Sequence, residues 1–249
     1  MNNTVLKDAD IREPLFDFLE ESYGKVRIIE EKTMGTSRAD VVMVTETALY
    51  GIEIKSDADS YTRLEGQVKD YDRYYDYNIA VVGTSHALHI REHIPSYWGV
   101  ITVERIDNGL DFYILRKPEK NPKLNPKRKL QILWRPELAH IQEINLMPKY
   151  KDKGKDFVIN KIIERTNYPE DKKGRIEIDE LYRQISDVLF ERDYNTVEET
   201  LKEYRKGELQ KKLEAETDPQ KKLELMVEQA SKGRIITQKG FKKRRRRKY

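Results

Sequence analysis

Two short apolar runs dominate the hydrophobic pattern of the N-terminal half: Val41-Val42-Met43-Val44 after Asp40, and residues 49–55, where Ile52 and Ile54 alternate with Glu53 and Lys55. Runs this apolar and β-branched predict strands buried on both faces, and the polar turn Thr45-Glu46-Thr47 between them predicts a hairpin. Upstream, Ile11, Leu15, Phe18 and Leu19 make one stripe over 8–21, an amphipathic helix with Pro14 tolerable in its first turn. Residues 25–31 alternate around Val26, Ile28 and Ile29 and predict a strand. Downstream, 57–60 offer N-cap oxygens to a helix carrying Leu64, Val68, Tyr71 and Tyr75 at core spacing. Residues 78–82 predict a buried strand, 87–94 a helix, 98–103 a strand beyond Pro95, and 110–115 an edge strand.

Elements in this order predict an α/β fold, a mixed central β-sheet flanked by helices and followed by an α-helical C-terminal region. Pro118, Pro122 and Pro126 punctuate a lysine-rich stretch, so 118–128 is expected to link a core at 1–117 to a helical region at 129–232. Helical spacing recurs over 130–144, 157–166 and 176–190, and over 197–230 with the sparser Leu201, Leu209, Leu213, Leu223, Leu225 and Met226. Residues 233–249 are expected as a basic, disordered tail.

Hydrophobic and charged residues each make up 37% of the 249, too little apolar material for one globule over the whole length. There is no cysteine, which excludes disulfides, thiolate zinc sites and cysteine nucleophiles. No stretch has transmembrane length and the first residues lack a signal-peptide pattern, so a cytoplasmic protein with no membrane contact is expected. The net charge of +4 comes from the tail: subtracting the seven basic residues Lys242 to Lys248 leaves −3. Lys242, Lys243, Arg244, Arg245, Arg246 and Arg247 read either as a phosphate-binding arm or as a solvated tail.

Asp40, Glu53 and Lys55 are charges in the wrong place, since an ionised group in a buried strand is costly unless paired or bound to metal. Glu53 and Lys55 share one face of their strand, and hairpin pairing sets Asp40 beside Glu53. Two carboxylates and an ammonium at one sheet edge suit Mg2+ or Mn2+, with the lysine orienting a water or offsetting phosphate charge. A cross-strand salt bridge is the structural alternative.

Asp40, a gap of twelve residues, then Glu53-Ile54-Lys55 resembles the signature of the PD-(D/E)XK, or restriction-endonuclease-like, nuclease superfamily, with Ala39 where the motif has proline. Gln67 followed by Tyr71 resembles the Gln-x-x-x-Tyr element of its exonuclease-type members, and Glu30 and Glu31 both match an upstream acidic position. The stretch from Glu53-Ile54-Lys55-Ser56-Asp57 through Arg63-Leu64 and Gln67 to Pro95-Ser96-Tyr97-Trp98-Gly99 resembles a bacterial and phage branch of that superfamily. The resemblance covers roughly 8–103. It implies a Mg2+- or Mn2+-dependent hydrolase of nucleic acid, most naturally DNA. Asp40, Glu53, Lys55 and Gln67 would be catalytic, and Asp40, Glu53, the main-chain oxygen of Ile54 and an upstream acid, set at Glu31, would hold the metal.

Arg38 and Arg63 are candidates to grip a substrate phosphate, with surface ion pairs as the alternative. His86, His89 and His93 read as polar helix-surface residues rather than a zinc site, and Tyr71, Tyr74, Tyr75 and Tyr77 as packing rather than base stacking. Ser37 and Ser56 lack a histidine partner. The other function class is a catalytically inactive nuclease-like module that binds nucleic acid or protein. The C-terminal helices are assigned to substrate contacts or to a homodimer or protein partner.

Overall fold

The apolar runs form the expected hairpin: β2 (Ser37–Val44) and β3 (Leu49–Lys55) pair antiparallel, with Val41 opposite Ile52 and Val44 opposite Leu49. The computed structural model describes residues 6–192 and, beyond them, 207, 210 and 212–223. Residues 1–191 make one compact unit and 192–249 a second. Of the last helical stretch only short pieces fall in the described set, 212–215 and 219–223 being helical. Leu201, Leu209, Leu225, Met226 and the whole basic run from Lys242 lie outside it.

In the first unit, six strands follow sequence order across one mixed sheet: β1 (Arg27–Met34), β2, β3, β4 (Tyr77–Gly83), β5 (Gly99–Ile106) and β6 (Gly109–Arg116). β3, β4 and β5 are mutually parallel, and the outer pairings are antiparallel. Alternation along the strands splits the core in two. Val41, Met43, Ile52, Ile54, Ile79, Val81, Ile101 and Val103 pack against α1 (Asp8–Tyr23) through Ile11, Leu15, Phe16 and Leu19. Val42, Val44, Leu49, Ala80, Val82 and Val100 face α2 (Leu64–Tyr74) and the helices that follow. Both faces are covered, so these strands are apolar almost throughout.

Gly51 sets how closely α2 approaches β3. A Cβ there would lie 2.6 Å from Cδ1 of Tyr71 and would also strike the Tyr75 ring, so only glycine admits both tyrosines. The tyrosines act as packing residues: Tyr71 and Tyr75 are fully buried, Tyr74 nearly so, and Tyr77 stacks on Tyr50 at 4.8 Å.

The chain departs from expectation in several places. Residues 57–60 do not cap α2; Asp59 accepts from Ser56 N and Oγ, Asp57 accepts from Ser85, and the N-cap is Arg63 with no side-chain bond. The helix expected over 87–94 is two short 3-10 turns, Thr84–His86 and Ile90–Glu92. The stretch 130–144 breaks into α3 (Pro126–Gln131) and α4 (Arg135–Ile144), because Pro136 cannot sit inside a helix and instead occupies the first turn of α4. Pro126 likewise opens α3 behind the Asn125 cap, whose side chain accepts from Arg128 N.

Nor is 118–128 a division between domains. Asn121 is buried and donates to the carbonyls of Asp72 and Tyr75 at 2.8 Å. Lys129, with no exposed surface, sits 2.6 Å from Asp76 and also donates to the Tyr182 carbonyl of α6 (Ile178–Phe190). Burial pushes its pKa down to about 8 against the pull of Asp76. Leu130, Leu138, Val158 of α5 (Lys155–Thr166) and Leu181 join the same core as α2. The segment itself stays largely at the surface, and its one buried side chain, Asn121, is fully partnered, which fastens it to the core rather than leaving it a linker. Among the described residues no helix is long and apolar enough to cross a membrane.

Candidate active site

Strict alternation along β2 fails at Asp40. Ala39 packs on the α2 face with Val42 and Val44, whereas Val41 packs on the α1 face with Met43. On the neighbouring strand, Glu30 pairs with Val41 and Lys32 with Ala39, while Glu31 between them takes a left-handed φ of 52°. A non-glycine residue in that region is uncommon and marks a local distortion. On the other side, the ladder to β3 ends at Val41–Ile52, and Asp40 Oδ2 accepts the Ile54 N–H at 2.9 Å instead of a main-chain partner doing so. The carboxylate therefore stands in the gap where two strands part. The N–H and C=O of one residue point the same way across a ladder, so the Ile54 carbonyl faces that gap too.

Glu53 and Lys55 project from β3 toward α2, with side chains 1% and 6% exposed. Lys55 Nζ lies 2.6 Å from Glu53 Oε1 and donates to Gln67 Oε1 at 3.2 Å, while Gln67 Nε2 donates to Glu53 Oε1 at 2.6 Å. The second oxygen of Glu53 accepts from the Tyr71 hydroxyl at 2.7 Å, and that hydroxyl accepts the Asp40 N–H at 3.3 Å. One tyrosine thus ties the acid of β3 to the backbone of β2. Burial and the neighbouring Glu53 and Asp40 charges hold the Tyr71 hydroxyl well above its usual pKa, so it remains a donor.

From the opposite face comes Arg12 of α1, a residue the sequence reading passed over. Its Nη1 donates to the Asp40 main-chain oxygen at 3.1 Å, and its guanidinium lies 3.7 Å from Asp40 Oδ1, 3.7 Å from Glu30 and 2.8 Å from Asp8. Despite this cation, burial raises the pKa of Asp40 and the Glu53 charge raises it further, to about 7; the Ile54 N–H and Arg12 pull the other way.

Of the predicted residues, Asp40, Glu53, Ile54, Lys55 and Gln67 come together. Glu31 does not join them. Its side chain is exposed and meets Arg38, also exposed, at 3.4 Å, so Glu30 is the upstream acid nearer Asp40 and neither Glu31 nor Arg38 is held at the site. Arg63 is exposed at the start of α2, four residues before Gln67. His86 bonds the Tyr61 hydroxyl at 2.8 Å and His93 stacks on the Tyr61 ring at 4.0 Å; His89 is exposed. Ser56 is engaged by Asp59, and Ser37 bonds Asp70.

A divalent cation fits what these contacts leave open. Glu53 Oε1 accepts two bonds but Oε2 one, and Asp40 Oδ2 accepts one, so each acid keeps a lone pair. Burial and the Glu53 charge together raise the pKa of Asp40, and this is a repulsion that a cation would relieve. Among the described residues no three carboxylate or imidazole side chains are placed to hold a metal ion together, so a cation here would have two carboxylates and main-chain oxygen as its donors. Mg2+ is held by sets of this size, with water and substrate phosphate completing the shell.

Residues 1–205 match a family model described as Bacteriophage P4 protein cII. Among curated proteins and among solved structures, nothing matches the chain.

Proposed function

The chain belongs to the Bacteriophage P4 protein cII family, and we propose that this member is a metal-dependent nuclease that hydrolyses phosphodiester bonds of nucleic acid, DNA in the first place. The observation that supports the reading is the joined set of Asp40, Glu53, Lys55 and Gln67 at the parting of β2 and β3, the residues on which the PD-(D/E)XK resemblance rests.

Asp40 and Glu53 would hold Mg2+ or Mn2+ with the main-chain oxygen of Ile54; the bound ion supplies a water of lowered pKa and neutralises phosphoryl charge. The protein's own groups do the rest. Lys55 spends two of its three ammonium protons on Glu53 and Gln67, which leaves one donor that could serve an attacking water or a phosphate oxygen on which charge grows. Gln67 touches both Glu53 and Lys55, so it fixes the acid and the ammonium relative to each other. Tyr71 holds the remaining Glu53 oxygen, and with the buried position of the pair it limits rotation of the carboxylate. Substrate phosphate would complete the shell of the ion, coupling binding of the two.

One observation favours a non-catalytic nucleic-acid or protein-binding module on the same fold: the chain before Lys242 sums to −3, whereas duplex-binding folds are commonly basic. A single panel separates the readings. Purified full-length protein is given Mg2+ or Mn2+ with linear, circular, single-stranded and branched DNA and with RNA, beside Glu53→Ala. Metal-dependent cleavage lost in the variant supports the enzyme; no cleavage of any member, with wild type and variant alike, supports the module.

A further inference from the structure

Three carboxylates, Asp8, Glu30 and Asp40, converge on one guanidinium. Arg12 meets all three within 3.7 Å and its side chain is only 16% exposed. Its charge is therefore poorly screened and acts on Asp40 at short range. It also grips the Asp40 main-chain oxygen at 3.1 Å, which anchors β2 where the ladder to β3 has ended. The structural consequence is that α1, through one side chain, fixes both the position and the local charge of Asp40.

We propose that Arg12 is the positioning residue of the metal site, a resident cation that competes with the divalent ion for the charge of Asp40. The inference rests on the reading of Asp40 as a metal ligand. With Arg12 present, the carboxylates on this side of the sheet are partly neutralised before any metal arrives. The site therefore binds the free ion weakly and fills when substrate phosphate adds its own oxygens. Without Arg12, Glu30 and Asp8 are left beside Asp40 with no cation between them, and a divalent ion gains by taking the place of that cation.

The sign of this effect separates it from a structural role. Loss of a residue that merely holds the fold weakens a binding site; loss of a competing cation strengthens it. Calorimetric titration of Mn2+ into the full-length protein, without nucleic acid, reads this directly. Arg12→Gln should bind Mn2+ about tenfold more tightly than wild type, and Arg12→Lys, which keeps the charge, should stay within about twofold. Arg12→Met, which keeps the aliphatic stem packed, replaces the glutamine variant if that one does not fold. Asp40→Asn is the reference and should weaken binding at least tenfold. Unchanged or weaker binding by the Arg12→Gln or Arg12→Met protein, with Asp40→Asn behaving as stated, overturns the role of Arg12 and leaves the metal site standing. Unchanged binding by Asp40→Asn overturns the metal site and this inference with it.

Discussion

Replacing Asp40 by asparagine removes one of two carboxylates that the fold forces together, and its effect on stability should depend on pH in a defined way. The folded protein holds the Asp40 proton up to about pH 7, chiefly through burial and then through Glu53, whereas an unfolded chain releases it near pH 4. Between those values the folded state binds a proton that the unfolded state does not, so wild-type stability falls as pH rises and levels off above about 7. The slope is about 1.4 kcal/mol per pH unit, or about 3 kcal/mol between pH 5 and 8. The side chain is 20% exposed, and allowing for solvent screening leaves about 2 kcal/mol. Asparagine can still accept the Ile54 N–H through its amide oxygen but has nothing to titrate. In thermal melts without metal, the Asp40→Asn protein should therefore gain on wild type by roughly 4–8 °C as the pH is raised from 5 to 8. Adding Mg2+ at pH 8 should recover part of the deficit in wild type only. Wild-type and variant melting curves that run parallel from pH 5 to 8 would falsify the claim that Asp40 carries an unrelieved charge.

Other consequences can be checked on the same protein. Gly51→Ala should cost about 1–3 kcal/mol in urea denaturation, because its methyl group meets the Tyr71 and Tyr75 rings and must push α2 outward; a neutral result would mean the helix yields freely. Lys129→Met should cost about 3–5 kcal/mol by leaving Asp76 buried without its cation, and Lys129→Met with Asp76→Asn should restore much of that loss. Tyr71→Phe removes the donor to Glu53 while keeping the ring, so cleavage should fall by about tenfold or more with a thermal shift of only a few degrees. If the tail from Lys242 to Lys248 contacts phosphates, deleting it should lower DNA affinity equally for all sequences and flatten the dependence of binding on salt; an unchanged salt slope would assign the tail to solvent.

The α/β class and the strands were readable because burial on both faces leaves an apolar signature that few other environments produce. Glu53 and Lys55 stood out for the same reason: charge inside such a run needs a partner, and the structure supplies Gln67, Tyr71 and each other. What was hidden depends on tertiary placement. Arg12 looks like an ordinary polar position of an amphipathic helix, and only the packing of α1 across the sheet brings it to Asp40. The choice between Glu30 and Glu31 turns on a local left-handed φ that no periodicity reveals. The break at Pro136 was missed although the residue signals it, since a proline inside a 130–144 helix has no place but a first turn. The anchoring of 118–128 to the core was not legible, because charge and proline report local preference, while the partners of Asn121 and of the following Lys129 are distant in sequence.

The central claim meets its most direct test in the cleavage of end-labelled linear DNA and of circular DNA by wild type and Lys55→Ala, purified side by side, in Mg2+ and then in excess chelator. The account predicts products from the wild type with Mg2+, none with chelator, and at least a hundredfold less from Lys55→Ala at a temperature where circular dichroism shows both proteins folded. Equal product from both proteins, or none from either, contradicts it.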